Sequence, residues 1–160
     1  MIAWADKVTQ HSYGDLIELY CGIGNFTIPI SRNFNHVIAT EVSKRAVQAA
    51  RENIAENNIK NIDVVRMSAS ETAEAFAGAR NFRRLSSLPK NINEYKLNTL
   101  LIDPPRSGLD PDSIKLASKF RNIIYFSCSL DSFANDIEVL TKTHASKNFA
   151  IFDQFPATKH

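Results

Sequence analysis

Residues 15–27 read DLIELYCGIGNFT, an apolar run of strand length followed directly by a glycine-containing turn. Two of the chain's five glycines, Gly22 and Gly24, stand in this turn. Glycine lets the backbone turn tightly and approach a ligand without a Cβ clash. A helix is expected from about Phe26, and its free N–H groups would point toward the same place. The unit predicts a strand, a ligand-binding turn and a helix, which is the start of an α/β fold.

The glycine turn lacks the third glycine of the dinucleotide fingerprint G-x-G-x-x-G, because Thr27 occupies that position. The pattern therefore disfavours a nicotinamide cofactor and favours a nucleoside ligand without a pyrophosphate, such as S-adenosylmethionine. Taken alone, the turn is equally compatible with an ordinary connection between a strand and a helix. The choice between these two interpretations depends on residues elsewhere in the chain.

Strand and helix patterns alternate along the rest of the chain. The predicted strands are the β-branched-rich runs at 15–20, 36–40, 62–67, 97–103, 122–127 and 149–155. Ser43 is expected to cap a helix over 44–57, Asp110 a helix over 111–119, and a third helical stripe covers 133–140. Continuous apolar strands joined through helices require right-handed crossovers. The fold class is therefore α/β, with a doubly wound, mostly parallel sheet.

The composition is that of one globular domain: 160 residues, 44% hydrophobic, 22% charged, with a net charge of +2. No run approaches the ~20 apolar residues of a membrane helix, and the N-terminus MIAWADKVTQ has no secretory pattern. Two cysteines, Cys21 and Cys128, exclude a disulfide scaffold and have no metal-site spacing. We expect a single domain over 1–160 in a reducing, cytoplasmic compartment, with no membrane association and no metal.

An acidic residue stands where an α/β nucleoside site needs one. Glu41 ends the second predicted strand, 19 residues after Gly22. A carboxylate about 20 residues past the glycine turn is the usual partner of a ribose hydroxyl pair, because it accepts two hydrogen bonds and donates none. Glu41 could instead cap the helix that begins after Ser43. Together with the glycine turn, Glu41 favours cofactor binding.

The sequence Asp103-Pro104-Pro105-Arg106 follows the fourth predicted strand. Neither proline has an N–H and both have a fixed φ, so the chain leaves the sheet rigidly. A rigid turn behind the Asp103 carboxylate suits a wall between cofactor and substrate, and Arg106 could bind a phosphate or a carbonyl of the substrate. The alternative is a proline-stopped strand in which Asp103 is only a turn residue.

The fifth predicted strand ends in FSCS (126–129), immediately before a helix. The positive end of a helix dipole lowers the pKa of a nearby thiol and so favours the nucleophilic thiolate. Cys21 is the competing candidate, although within the glycine turn it is expected to pack against the sheet. A lone cysteine in an apolar run is often just a small buried hydrophobe. Because three other motifs converge on the same sheet edge, Cys128 is the predicted nucleophile.

Residues 79–96 form a longer connection than this fold requires and carry five basic residues against one acidic residue. Arg83 and Arg84, with Phe82 and Tyr95 interleaved, could follow a phosphate backbone. Unusually long loops tend to be functional, whereas a basic run of this kind is also commonly a solvated surface loop. The segment is a candidate RNA contact.

Together these motifs resemble the RNA uracil-5-methyltransferase family. The resemblance covers 15–160 and rests on ELYCGIGNF (18–26), ATEVSKRAVQAARENIAENNI (39–59), the stretch from NFRRL to DPPRSGLD (81–110), the pair Ser127-Cys128, and FDQFPATKH (152–160). So many motifs in one order are far more specific than any motif alone. The resemblance implies a Rossmann-like, S-adenosylmethionine-dependent methyltransferase fold that lacks its last strand.

The resemblance also implies roles for individual residues. The implied cofactor-binding residues are Tyr20, Gly22, Gly24, Asn25, Glu41 and Asp103. Cys128 would be the nucleophile, with Asp103 near the reactive centre and Arg106, Arg83 and Arg84 as candidate contacts to RNA. Attack of the thiolate on carbon 6 of uracil makes carbon 5 enolate-like, so that carbon 5 can accept a methyl group. A base then removes the carbon-5 proton, and β-elimination frees the thiolate.

The implied substrate is a uridine in the T-loop of tRNA. A uridine of ribosomal RNA, or a catalytically incomplete module that binds nucleosides or RNA, are the alternatives. The family has Asn-Pro after its nucleophile, where this chain has Ser129-Leu130. The family's eliminating glutamate follows the FP-x-T-x-H stretch, with which this chain ends. We therefore expect a C-terminal catalytic fragment, without the RNA-binding region and the last segment, that does not turn over on its own.

Overall fold

The structure is a computed structural model that describes residues 1–79 and 81–153. Within these residues the strands are β1 (Asp15–Leu19), β2 (Val37–Glu41), β3 (Ile62–Arg66), β4 (Leu97–Ile102) and β5 (Asn122–Tyr125). The α-helices are α1 (Ile2–Thr9), α2 (Thr27–Ile30), α3 (Lys44–Glu56), α4 (Ala69–Phe76), α5 (Pro111–Ala117) and α6 (Leu130–Leu140). Short 3₁₀ turns cover Ser31–Asn33, Arg83–Ser87 and Ile92–Glu94.

The strands form one sheet in the order β3-β2-β1-β4-β5, and all neighbouring strands are parallel. The chain first moves outward from β1 to β3 and then returns to build β4 and β5 on the other side of β1. The strand order therefore reverses between β1 and β4, and ligands in open α/β sheets bind beyond the carboxyl ends at such a point. This arrangement confirms the predicted doubly wound parallel sheet.

Two apolar clusters cover the two faces of the sheet. One face packs against α1, α2 and α3, and its strand residues include Leu16, Val37, Ala39, Val64, Leu101 and Ile124. The other face packs against α4, α5 and α6, and its strand residues include Ile17, Leu19, Ile38, Val65, Leu100 and Ile102. Because both faces are covered, apolar residues follow one another directly in the strands, as in Leu100, Leu101 and Ile102 of β4, instead of alternating with polar residues.

Side-chain hydrogen bonds to the first N–H groups explain where the longer helices begin. Ser43 accepts a hydrogen bond from the N–H of Ala46 and caps α3, as predicted. Asp110 accepts from the N–H groups of Asp112 and Ser113, and α5 begins at Pro111. This helix ends at Ala117, two residues earlier than the sequence pattern predicts. Helix α6 extends from Leu130 to Leu140 and contains the predicted stripe.

Helices α2 and α4 differ from the sequence expectation. Helix α2 begins at Thr27, one residue later than expected, and contains only four residues. Helix α4 was not expected from apolar spacing. It begins at a capping box in which the Ser68 hydroxyl accepts from the N–H of Glu71 and the Glu71 carboxylate accepts from the N–H of Ser68.

The prediction of a strand over 149–155 is wrong for 149–153, which lie in neither a strand nor a helix. A strand needs a neighbour for its N–H and C=O groups, and the sheet in the described residues ends at β5. Phe149 and Ile151 are exposed, while the Phe152 ring packs edge-on against Trp4 with centroids 6.1 Å apart. The FPATKH stretch of the resemblance lies outside the described residues. No helix in the described ranges is long and apolar enough to cross a membrane.

Candidate functional site

The register of the sheet brings the predicted motifs together at the carboxyl ends of the strands, which we call the carboxyl edge of the sheet. Leu19 of β1 is level with Thr40 of β2 and with Ile102 of β4, and Ile102 is level with Tyr125 of β5. The residues that follow these positions are Tyr20, Glu41, Asp103 and Phe126. Parallel neighbours are about 4.8 Å apart, so the glycine turn, Glu41, the Asp-Pro-Pro-Arg turn and the segment with Cys128 all leave the same edge.

The glycine turn is open on one side. Gly22 has φ +56° and Gly24 has φ +90°, in the left-handed region that favours glycine. The N–H of Gly24 donates to the carbonyl of Cys21 at 2.9 Å and closes the turn. A Cβ placed on Gly22 would meet no atom within 4 Å, whereas one on Gly24 would meet the side chain of Ile28 at 3.2 Å. Gly22 therefore faces open space, and the neighbouring Asn25 is exposed.

Glu41 ties the glycine turn to the start of α3. One carboxylate oxygen, Oε2, accepts from the N–H of Gly22 at 3.1 Å, and the other, Oε1, accepts from the N–H of Ser43 at 2.7 Å. Glu41 therefore contacts both the glycine turn and the N–H of Ser43, while the cap of α3 itself is the Ser43 side chain. Each oxygen keeps further acceptor capacity for a ligand hydroxyl.

Tyr20 links the end of β1 to α5. Its φ of +61° is left-handed, which for a residue with a Cβ costs about 1–2 kcal/mol. This conformation breaks the alternation of the strand, so that Tyr20 packs on the same cluster as Leu19. Burial and the nearby carboxylate of Asp110 raise the pKa of Tyr20, while the hydroxyl of Ser113 opposes the shift.

Glu18 is a buried acidic residue of β1, close to the candidate site, that the sequence analysis did not single out. It is 1% exposed, and its Oε2 has no hydrogen-bond partner among the described residues. Burial raises the pKa of Glu18 to about 8; the Thr27 side chain opposes this shift and the Asp103 carboxylate adds to it. The sequence does contain a signal for this residue, because Glu18 is acidic and stands inside the otherwise apolar run LIEL of β1. That run was interpreted only as a strand.

The segment after β4 forms a rigid projecting turn. Asp103 is exposed at the strand end, and desolvation raises the pKa of its carboxyl group. Pro104 is buried, and the N–H of Gly108 donates to the carbonyl of Pro105 at 2.9 Å. This hydrogen bond closes a turn with Arg106 exposed at its corner.

Asp136 of α6 holds this turn against the end of β5. Its Oδ2 accepts from the N–H of Leu109 at 2.9 Å and from the phenol of Tyr125 at 2.5 Å. Asp136 is buried, and burial together with this hydrogen bond raises the pKa of Tyr125. Sequence spacing gave no signal for this group, because its partners lie 11 and 27 residues away.

Cys128 is exposed and precedes the N-cap of α6, Ser129. The Ser127 hydroxyl donates to the carbonyl of Ser129 at 2.8 Å and accepts from its N–H at 3.1 Å. These two hydrogen bonds close the turn around Cys128 without the Asn-Pro pair of the resembled family. Cys21, in contrast, is buried, and burial raises the pKa of its thiol, as expected for a packing cysteine.

The candidate site presents an open stretch of backbone and two carboxylates to a ligand. Gly22 is open, Asn25 is exposed, and the carboxylates of Glu41 and Asp103 follow strands on either side of β1. Helix α2 is too short to supply the dipole of a pyrophosphate site. In the described part of the chain, no cluster of three or more histidine, cysteine, aspartate or glutamate side chains is placed to hold a metal ion.

Arg83 and Arg84 lie apart from these residues. They belong to the 3₁₀ turn beside the end of β3, at the opposite side of the sheet from β5. Four strand spacings separate β3 from β5, or about 19 Å. The structure therefore does not bring Arg83 and Arg84 together with Arg106 or Cys128.

Comparison with known proteins identifies the family to which the sequence is similar. A family model described as tRNA (Uracil-5-)-methyltransferase matches residues 1–160. The tRNA/tmRNA (uracil-C(5))-methyltransferases of Psychromonas ingrahamii and Saccharophagus degradans are 49% and 52% identical to this chain over 160 residues. The chain covers 43% of the length of each of these relatives.

Solved structures agree on the fold. The Pyrococcus abyssi tRNA (uracil-54, C5)-methyltransferase in complex with S-adenosyl-L-homocysteine is similar over 86% of this chain and 30% of its own, with a TM-score of 0.60 and 25% identity. A ribosomal protein L11 methylase from Lactobacillus delbrueckii subsp. bulgaricus is similar over 89% of this chain and 65% of its own, with a TM-score of 0.61. At 15% identity, the second likeness concerns the fold alone.

The fold is thus the Rossmann-like fold of S-adenosylmethionine-dependent methyltransferases, and the family model extends over the whole chain. The resemblance in the sequence motifs is confirmed at the level of the family. This chain belongs to the tRNA (uracil-5-)-methyltransferase family.

Proposed function

We propose that this chain is the catalytic domain of an S-adenosylmethionine-dependent enzyme that methylates carbon 5 of a uridine in the T-loop of tRNA. The observation that carries the proposal is an exposed thiol, Cys128, at the same sheet edge as the Gly22–Glu41 hydrogen bond. The relatives at about half identity that are named as tRNA/tmRNA (uracil-C(5))-methyltransferases support the reaction and the substrate.

We assign the cofactor to the turn after β1 and the ends of β2 and β4. The residues that would hold it are Tyr20, Gly22, Gly24, Asn25, Glu41 and Asp103. Glu41 would accept hydrogen bonds from ribose hydroxyls, for which its oxygens keep acceptor capacity. The open face of Gly22 would allow the ligand to approach the backbone. When bound, S-adenosylmethionine supplies an electrophilic methyl group on its sulfonium.

Cys128 would act on the uracil ring as a covalent nucleophile. Its thiolate forms an S–C6 bond, and the C5=C6 electron pair moves toward the carbonyl at C4, which makes C5 nucleophilic. After C5 has been methylated, removal of the C5 proton by a base returns an electron pair to C5=C6 and expels the thiolate. The Ser127 hydroxyl holds the turn that presents the thiol.

Asp103 and Arg106 would line the substrate side of the site. Asp103 has a raised pKa at the end of β4 and lies between the cofactor turn and the segment with Cys128. Arg106, at the corner of its turn, presents a planar donor group suited to a phosphate or carbonyl oxygen of the substrate. The Asp136 hydrogen bonds keep this turn next to the end of β5.

The mechanism is tested by covalent trapping. An RNA stem-loop with 5-fluorouridine at the target position cannot lose a proton from C5, so the S–C6 adduct persists. With S-adenosylmethionine present, the wild-type chain and the Cys21→Ala variant are expected to give an adduct that survives denaturing electrophoresis, and Cys128→Ala is expected to give none. An adduct in Cys128→Ala, or one mapped to another residue, contradicts the assignment.

The cofactor and the RNA target have separate tests. Calorimetric titration with S-adenosylmethionine is expected to show at least 10-fold weaker binding for Glu41→Ala and Asp103→Ala than for wild type. Unchanged binding in both variants would place the cofactor elsewhere. Trapping with a tRNA T-arm stem-loop is then compared with trapping by a uridine stem-loop of ribosomal RNA sequence, and faster trapping of the ribosomal RNA contradicts the tRNA assignment.

A further inference from the structure

A cavity of about 340 Å³ lies beside β3, at the opposite side of the sheet from Cys128. Its lining contains four arginines: Arg51 of α3, Arg66 at the end of β3, and Arg83 and Arg84 of the following 3₁₀ turn. The register pairs Arg66 with Glu41 on the neighbouring strand. The cavity is therefore one strand beyond the candidate cofactor site, at the carboxyl edge of the sheet.

Two of the four guanidinium groups are held by the backbone of β3. Arg51 Nη2 donates to the carbonyl of Val64 at 2.7 Å, and Arg84 Nη1 donates to the carbonyl of Arg66 at 3.1 Å. Because β3 is the last strand on this side of the described sheet, these carbonyls are not needed for a further strand. The contacts fix both cations in place, and each guanidinium retains other N–H donors.

The other two guanidinium groups are free to bind. Arg66 and Arg83 are exposed, and their side chains have no hydrogen-bond or ion-pair partner among the described residues. In the described part of the chain, the one carboxylate in an ion pair with the four arginines is Glu71, 3.3 Å from Arg84. The cavity thus concentrates more positive charge than its immediate surroundings neutralise.

We infer that this arginine cavity binds a phosphodiester of the RNA backbone, at a second contact remote from the uridine that is methylated. Guanidinium groups match phosphate oxygens with paired N–H donors. The cavity is open and its arginines are exposed, which suits a polymer backbone better than an enclosed small molecule. About 19 Å separates β3 from β5, so one RNA can reach the cavity and Cys128 together. The inference rests on the proposed function for the choice of RNA as the polyanion.

The test compares two doubly substituted chains. Arg66→Gln/Arg83→Gln removes the two unpartnered cations and leaves the contacts of Arg51 and Arg84 to β3 intact. Lys119→Gln/Arg121→Gln removes two cations near the amino end of β5 and is the matched control for net charge. Binding of a fluorescent T-arm stem-loop is measured by anisotropy at several salt concentrations, and S-adenosylmethionine binding by calorimetry reports the integrity of the fold.

The cavity variant is expected to bind the stem-loop about 10-fold more weakly than wild type at low salt. Its slope of log affinity against log salt is expected to fall by about 0.7–0.9 for each phosphate that the two arginines neutralise in wild type. The control is expected to keep the wild-type slope, and both variants to keep wild-type cofactor affinity. Equal slopes in the two variants, or no binding of the stem-loop by wild type, overturn the inference. Binding to phosphatidylserine vesicles that exceeds binding to RNA and needs the same two arginines overturns it in favour of a membrane surface.

The inference and the proposed function fail in different ways. If wild type forms the Cys128 adduct but the cavity variant binds RNA as wild type does, only the arginine cavity is wrong. If no adduct forms while the cavity variant shows reduced RNA affinity and a reduced salt slope, the methylation mechanism is wrong and the arginine cavity stands.

Discussion

The phenol of Tyr125 donates a 2.5 Å hydrogen bond to the carboxylate of Asp136. The same carboxylate oxygen accepts from the N–H of Leu109. One buried side chain of α6 therefore joins the end of β5, which leads to Cys128, to the turn that carries Arg106. This one carboxylate thus connects the segment that leads to Cys128 with the turn that carries Arg106.

Removing the Tyr125 phenol is expected to destabilise the fold less than removing the Asp136 carboxylate. Tyr125→Phe loses one hydrogen bond to a carboxylate, for about 1.5–3 kcal/mol, whereas Asp136→Ala also leaves the N–H of Leu109 unpaired and is expected to lose roughly 1–3 kcal/mol more. Urea unfolding of both single variants and the double variant measures the coupling. A coupling energy near zero contradicts the hydrogen bond.

The turn after β4 has no room for a side chain at Gly108. A Cβ there would lie 2.8 Å from Oδ2 of Asp136 and 3.0 Å from Cβ of Ser132, and φ is +78°. Gly108→Ala is therefore expected to lower the free energy of unfolding by about 2 kcal/mol or more. Gly22→Ala is the matched control, because its φ of +56° is also left-handed but its Cβ would face open space. Equal losses in the two variants would mean that the contact with Asp136 does not matter.

Glu18 is expected to make the stability depend on pH. Its pKa is about 8 in the folded state against 4.5 ordinarily, so the folded state holds the proton more tightly. This contribution to stability is complete below about pH 4.5 and is lost as the pH rises toward 8. Glu18→Gln stays neutral and is expected to reduce the decline between pH 5 and pH 8.5 by on the order of 3 kcal/mol.

Chemical unfolding at a series of pH values measures this effect, with exposed Glu56→Gln as the control. An identical decline in Glu18→Gln and wild type is the result that contradicts a buried, protonated Glu18.

The two thiols are expected to react at very different rates. Cys128 is exposed, whereas Cys21 is 5% exposed and burial raises the pKa of its thiol. With an aromatic disulfide reagent, one thiol of the native chain is expected to react at least about 100-fold faster than the other. Cys128→Ser should abolish the fast phase, and Cys21→Ser should leave it unchanged. Two fast thiols in the native chain would show that the glycine turn opens readily.

Local patterns were sufficient for most of the fold. Apolar runs of strand length predicted β1 to β5 within two residues at their ends, because a sheet covered on both faces needs such runs. The Ser43 and Asp110 caps were visible because a capping side chain bonds to N–H groups only two or three residues away. The strand prediction for 149–153 was wrong because strand formation also requires a neighbouring strand, and local composition does not show whether one is present.

The candidate site was partly visible for the same reason. Gly22, Glu41, Asp103 and Cys128 follow or end strands, and parallel strands bring their carboxyl ends to one edge. Glu18 and Asp136 were not identified, because their roles depend on burial and on partners distant in the sequence. Two of the four arginines of the cavity, Arg83 and Arg84, could be singled out from the basic segment 79–96. Only the fold shows that Arg51 and Arg66 lie beside them.

The contacts of Arg51 and Arg84 with β3 also limit how the sheet can grow. A strand from another molecule that adds to this edge would have to displace both guanidinium groups from the carbonyls of Val64 and Arg66. Occupied carbonyls of this kind protect an edge strand against pairing with another chain. Strand addition at β3, whether during assembly or aggregation, is therefore disfavoured.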